Sequence, residues 1–225
     1  MKFFIDTADA NVVRSLLDIF PIRGVTTNPA IISKVRKPFA EVVNELLTVT
    51  SKSLPIFFQV VGSDSMTMVK EADRLCELVG DNLIVKVPVS AEGFKTMKIL
   101  CRRGTPFTAT AIHAPLQAVL SAEYGARFVA PYVSRMDSIQ SDGAELVAQI
   151  VTALSKGNYP TEVIAASFRT PHQINQMALA GANAVTISPE MFGNIVAHPL
   201  TDSSVAMFSE CWSSQYHGAT SLLES

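Results

Sequence analysis

Cysteine is scarce in this chain of 225 residues, and so is charge. The three cysteines, Cys76, Cys101 and Cys211, are odd in number, lie far apart and match no CxxC or metal-ligand spacing. That excludes a disulfide framework and a zinc module. A reducing cytoplasm is the expected compartment, and each thiol falls on an apolar helical stripe, where a buried core group is expected. Only 17% of residues are charged, with 18 basic against 20 acidic and a formal net charge of −2. No electrostatic footprint for a nucleic-acid backbone or an anionic lipid surface results, so an anionic ligand must be gripped by a local basic group. No run approaches the ~18 uninterrupted apolar residues of a membrane span. Asp6 interrupts the apolar start where a signal peptide would continue. Neither a membrane protein nor a secreted one is expected. The glycines form no nucleotide-binding loop, the four histidines (His113, His172, His198 and His217) show no metal-ligand spacing and are expected as caps or solvent-facing groups, and no linker or internal repeat interrupts the chain.

What is abundant is hydrophobic surface, 48% of residues, enough for one domain with a large core. Eight short β-branched or aromatic runs recur: 2–6, 24–26, 56–60, 83–87, 106–110, 128–132, 163–166 and 184–187. Segments of helical periodicity separate them, as expected for a parallel sheet with crossover helices. The mean spacing is about 26 residues, which suits one strand, one helix and two short loops. Eight such units predict an α/β fold, a closed (β/α)8 TIM barrel. Val69, Ala72, Leu75, Cys76 and Val79 step along one helix face, and Leu146, Val147, Ile150, Val151 and Leu154 along another. Gly80, Gly104, Gly125, Gly157 and Gly181 sit where helices should stop. The expected division is residues 1–199 for the barrel and 200–225 for an extra C-terminal helix and tail. In that helix Val205, Phe208, Cys211 and Trp212 form a surplus apolar stripe, suited to packing on the barrel's own rim or on a neighbouring subunit.

In such barrels the active site is built at the strand C-terminal ends and the loops after them. Polar residues there are Asp6, Thr26, Thr27, Asn28, Gln59, Lys86, Thr110, Tyr132, Arg135, Ser167 and Arg169. Lys86 interrupts the apolar run 83–88 of a strand expected to be buried on both faces. Desolvation disfavours an ammonium and yields a free amine able to attack a ketone; a structural lysine paired with a carboxylate is the alternative. Asp6 ends the first strand and could orient that amine, bind hydroxyls or carry a proton, or else cap the following helix. Residues 26–29 also read as polar caps before a proline. An amide at Gln59 needs a partner in protein, water or substrate. Thr110 and Tyr132 supply hydroxyls, while Arg135, Ser167 and Arg169 suit a phosphate.

The runs FFIDTAD from Phe3, GVTTNPAII from Gly24, IVKVPVSAEG around Lys86, VAPYVSRMD from Val129 and AASFRTP from Ala165 resemble the small bacterial transaldolase family, and most closely its fructose-6-phosphate aldolase branch. The resemblance spans nearly the whole chain. It implies a metal-free and cofactor-free class I aldolase acting on sugar phosphates, with Lys86 as the Schiff-base lysine. Asp6, Asn28, Gln59, Thr110 and Tyr132 would line the reacting carbons, beside Thr26. Arg135, Ser167 and Arg169 would take the phosphate. It further implies a homo-oligomer, a pentamer or decamer, with Phe208 and Trp212 anchoring the C-terminal helix on a neighbour. Family transaldolases typically carry glutamate in place of Gln59 and phenylalanine in place of Tyr132, so this pair favours aldol cleavage over transfer. Transaldolase, and a barrel that binds or isomerises phosphosugars without covalent catalysis, are the alternatives. Phe58, the Thr108-Ala109 pair, Ile112-His113 and Arg169 depart from the usual aldolase pattern and bear on donor preference.

Overall fold

The β-branched and aromatic runs all become strands: β1 (Lys2–Asp6), β2 (Ile22–Thr26), β3 (Ile56–Gln59), β4 (Leu83–Pro88), β5 (Phe107–Ile112), β6 (Phe128–Pro131), β7 (Glu162–Ala165) and β8 (Ala184–Ile187). The computed structural model describes residues 1–224. Every strand pairs in parallel with its neighbour in chain order, and β1 with β8 closes the barrel. The connections are α1 (Ala10–Leu17), α2 (Pro29–Val35), α3 (Phe39–Val49), α4 (Ser65–Val79), α5 (Ala91–Arg103), α6 (Pro115–Glu123), α7 (Val133–Asp137), α8 (Gly143–Lys156) and α9 (Pro171–Leu179). Two crossovers therefore hold a second helix, and the short α7 sits directly after β6. The expected glycines end their helices; Gly104 at φ +68° donates its N–H to the Leu100 and Cys101 carbonyls, closing α5 in the left-handed cap that glycine adopts without strain.

Side chains alternate across each strand, so one set fills the barrel and the other meets the helices. The barrel interior is floored by Phe4, Phe57, Ile84, Phe128 and Ile164 with two alanines. Phe4 meets Phe57 and Phe128 edge to face, with ring centroids 5.6 and 6.1 Å away. A Cβ on Gly24 would lie 2.7 Å from the Phe4 ring, so the absent side chain lets that ring seat. This plug raises the polar residues to the C-terminal mouth. Phe58 takes the opposite face and packs its ring on Phe39 of α3, 5.4 Å between centroids. Its bulk therefore acts outside the barrel.

The helix stripes are buried as predicted at Val69, Ala72, Leu75, Val79, Leu146, Val147, Ile150 and Leu154. The cysteines are a correction: all three are exposed. Cys76 follows Leu75 by one residue, a turn of about 100°, so Leu75 faces the sheet and Cys76 falls beyond the edge of the stripe.

A first compact unit, Met1–Pro189, holds all eight strands; a second begins at Glu190. The second carries all but the first residue of α10 (Pro189–Val196) and the extra C-terminal helix, α11 (Pro199–Gln215), whose first turn is capped by His198. No residue of α11 is buried, and Trp212 lies against Tyr216 with ring centroids 4.2 Å apart. Among the described residues no helix is long and apolar enough to cross a membrane.

Candidate active site

Lys86 sits near the C-terminal end of β4, 6% exposed, in register with Gln59 on β3 and Thr108 on β5. Its Nζ donates to the Thr27 carbonyl at 2.7 Å. Thr27 is itself tied down, because its N–H and its hydroxyl both donate to the Phe57 carbonyl, at 3.0 and 2.7 Å. Burial pushes the Lys86 amine below the ordinary lysine range, and the negative charge of Asp6 pulls partly back. For Asp6 burial raises the carboxyl above its ordinary value, opposed by Lys86 and by the Thr26 hydrogen bond. Both groups are thus biased toward their neutral forms, which is the form in which an amine is nucleophilic.

The helix-cap alternative for Asp6 does not hold. Asp9 caps α1, accepting from Asn11 and Val12 N–H at 2.9 and 3.3 Å. Asp6 instead accepts from the Thr26 hydroxyl at 2.6 Å, and Thr26 Oγ1 lies 2.5 Å from Thr186 Oγ1 on β8. Asn28 does take the cap role foreseen for residues 26–29. Its side-chain oxygen accepts from Ile31 N–H at 3.0 Å, which leaves its amide NH2 without a partner among the described residues. Among the described residues the half-buried Gln59 has no hydrogen-bonded partner for its amide either.

On the facing side Thr110 Oγ1 and Tyr132 Oη lie 3.2 Å apart. Tyr132 is one residue past β6 and bridges to Ala166. A bulge after Thr110, with Ala111 at φ +60°, turns β5 at the rim and sets the His113 ring edge-on to Tyr132, 5.6 Å between centroids. The departures at Ile112-His113 therefore touch Tyr132, whereas Phe58 does not reach the mouth. Thr108 Oγ1, beside Lys86, is buried without a hydrogen-bond partner among the described residues.

Arg135 on α7 and Arg169 in the loop after β7 are both exposed, and neither is in an ion pair among the described residues. Their loops are laced together. Ser134 donates its N–H to the Ser167 carbonyl at 2.8 Å, and the two hydroxyls lie 2.8 Å apart. This holds Ser167 at φ +66°, a left-handed conformation uncommon for serine. Gln173 of α9 accepts from Arg169 N–H at 2.7 Å and donates to Asp137. Two cations and a hydroxyl on adjoining loops suit one phosphate.

Ser134, Asp137, Gln173 and Thr186 escaped the sequence reading. Thr186 passes the same filter as the others, a polar residue on the inward face near a strand end, and Thr170-x-x-Gln173 is a capping box. Nothing local singles out Ser134 or Asp137.

The sequence matches the family described as Transaldolase/Fructose-6-phosphate aldolase over residues 3–222. The chain belongs to that family. A "Probable transaldolase" of Hydrogenobaculum sp. is 40% identical over 94% of this chain and 96% of that protein. Another, from Geotalea uraniireducens, is 39% identical over 94% of this chain and 98% of its own. Membership makes the protein an enzyme of the Schiff-base aldolase kind. Among solved structures, a mandelate oxidase variant with an FMN adduct superposes with a TM-score of 0.57 at 15% identity, covering 87% of this chain and 67% of that one. That likeness reaches the fold alone.

Proposed function

We propose that this member of the family is a class I aldolase that reversibly cleaves fructose 6-phosphate to dihydroxyacetone and glyceraldehyde 3-phosphate. The observation that carries the reading is a buried amine of lowered proton affinity facing one carboxylate at the barrel mouth. Lys86 attacks the C2 ketone and, with loss of water, forms an imine. The protonated imine accepts the electron pair of the C3–C4 bond while Asp6 takes the proton of the C4 hydroxyl. Glyceraldehyde 3-phosphate departs, its phosphate held by Arg135, Ser167 and Arg169, and an enamine remains on Lys86. Gln59, Thr110 and Tyr132 hold the water that protonates it, Thr26 and Asn28 contact the sugar end of the site, and hydrolysis releases dihydroxyacetone. Transfer of the enamine to an acceptor aldose is the second reading, favoured by the name given to the curated relatives.

Borohydride added with fructose 6-phosphate is expected to reduce the imine and label Lys86 irreversibly. Labelling that persists in Lys86→Met, or none in the native enzyme, would overturn the Schiff-base reading. Turnover of fructose 6-phosphate with no acceptor aldose present is expected for the aldolase; strict dependence on erythrose 4-phosphate would assign the transferase. Tyr132→Phe removes the hydroxyl paired with Thr110 and should raise the ratio of transfer to hydrolysis by about 3–10-fold. An unchanged ratio would count against water held between the two hydroxyls.

Three free thiols suit the reducing cytoplasm. Helix α11 leaves Leu200, Val205 and Phe208 more than half exposed, and a second copy of the chain covering them accounts for such a surface. Light scattering on a chain ending at Pro199 tests this, since retention of the full-length oligomeric state would exclude α11 as the contact.

A further inference from the structure

The hydroxyl chain behind Asp6 ends on a residue that no motif of the family resemblance includes. Thr186 is in register with Phe4 of β1, and its hydroxyl reaches across the interior face of β1 to Thr26 on β2, which in turn is in register with Asp6. Thr26 and Thr186 are 2% and 4% exposed, so bulk water does not substitute for either partner. The Thr26 hydroxyl has one hydrogen. When Asp6 is ionised that hydrogen is committed to Oδ1, so the 2.5 Å contact with Thr186 is made with Thr186 as donor. When Asp6 carries a proton the same three oxygens can run the other way, from Asp6 through Thr26 to Thr186.

We propose that Thr186 is a positioning residue for the proton transfer at Asp6, acting through Thr26. The chain holds the carboxylate in a single rotamer and gives it a polarised donor in the ionised state and an acceptor in the protonated state. It thus serves both halves of a cycle in which Asp6 takes up a proton and returns it. Charge-assisted bonds are the stronger of the two sets, so the chain favours the ionised carboxylate on balance. Among the described residues Lys86 is the one charged group whose field acts on Asp6; Thr26 and Thr186 do not titrate in the working range. The inference rests on the aldolase reading only in taking Asp6 as the proton carrier.

Thr186→Val keeps the volume and β-branching and removes the donor. The kcat for cleavage is expected to fall by about 3–10-fold, the worth of one hydrogen bond in this setting. KM should not move, because Thr186 does not touch substrate. The acid limb of the kcat–pH profile should shift to higher pH, as the ionised carboxylate loses support. Thr186→Ser retains the hydroxyl and should restore both rate and profile. A valine variant whose pH profile superposes on the native one, or a serine variant that fails to restore it, would overturn the proposal. Borohydride labelling of Lys86 is run alongside. Absence of labelling in the native enzyme would refute the Schiff-base reading itself, whereas labelling with an unmoved profile would refute only the role of Thr186.

Discussion

Lys86→Met is expected to lower the cleavage rate by at least ~10³-fold, since no second amine can form the covalent intermediate, and at the same time to raise thermal stability. Methionine follows the path of the lysine stem without a charge to desolvate. Among the described residues the Lys86 amine has one hydrogen-bonded partner, the Thr27 carbonyl, and feels the charge of one carboxylate, Asp6, and burial still depresses its proton affinity. A base whose proton affinity falls on folding binds fewer protons native than unfolded, so stability rises with pH through that window. The penalty is therefore largest below the native pKa of Lys86 and disappears as pH approaches the ordinary lysine value of 10.5. The midpoint should rise by about 2–8 °C at neutral pH, equivalent to about 1–2 kcal/mol in a chain of this size. The gain should shrink at alkaline pH, and Asp6, left without its cation, discounts it. A scan of melting midpoint against pH for both proteins reads this directly; a variant equally or less stable at every pH would show that the buried amine is fully compensated in the native protein.

Asp6→Asn is expected to separate the two halves of the reaction. Cleavage should fall by about 10²–10³-fold with loss of the group that takes the C4 hydroxyl proton. Imine formation should behave differently. The Asp6 charge raises the proton affinity of Lys86 against the effect of burial, so its removal lowers that affinity further. The fraction of free amine then grows at acid pH. The acid limb of borohydride labelling by dihydroxyacetone should accordingly move to lower pH even as aldol cleavage collapses. Labelling and cleavage that fall together, with no displacement of the limb, would indicate that Asp6 supports the shape of the site and not the charge balance with Lys86.

Much of the site was legible because it breaks a pattern. A lysine among Leu83, Ile84, Val85 and Val87, and an aspartate closing a run of Phe3, Phe4 and Ile5, are exceptions that a buried strand tolerates only for a reason. Thr186 breaks its pattern less visibly, since threonine is an ordinary strand residue and its partner lies 160 positions away. Phe58 and the cysteines show the limit from the other side. Their neighbours announce an apolar surface, but which of two adjacent residues faces inward depends on strand register and on the phase of a helix.

Hydrophobic periodicity and the spacing of strands, read along the chain, determined the eight-unit barrel, the mouth where polar residues gather, and Lys86 and Asp6 as the charges within it. Local pattern reaches that far because burial, propensity and loop length act between near neighbours. Only the tertiary structure decided that Asp9 caps α1 and so releases Asp6, that Thr27 receives the Lys86 amine, that Ser134 clasps Ser167, and that Thr26 and Thr186 stand behind the carboxylate. Apart from the Asp9 cap, which is made within its own turn, each of these is a contact between strands or loops far apart in sequence. Barrel closure and stagger bring such groups within hydrogen-bond reach, and no local feature of either partner encodes it.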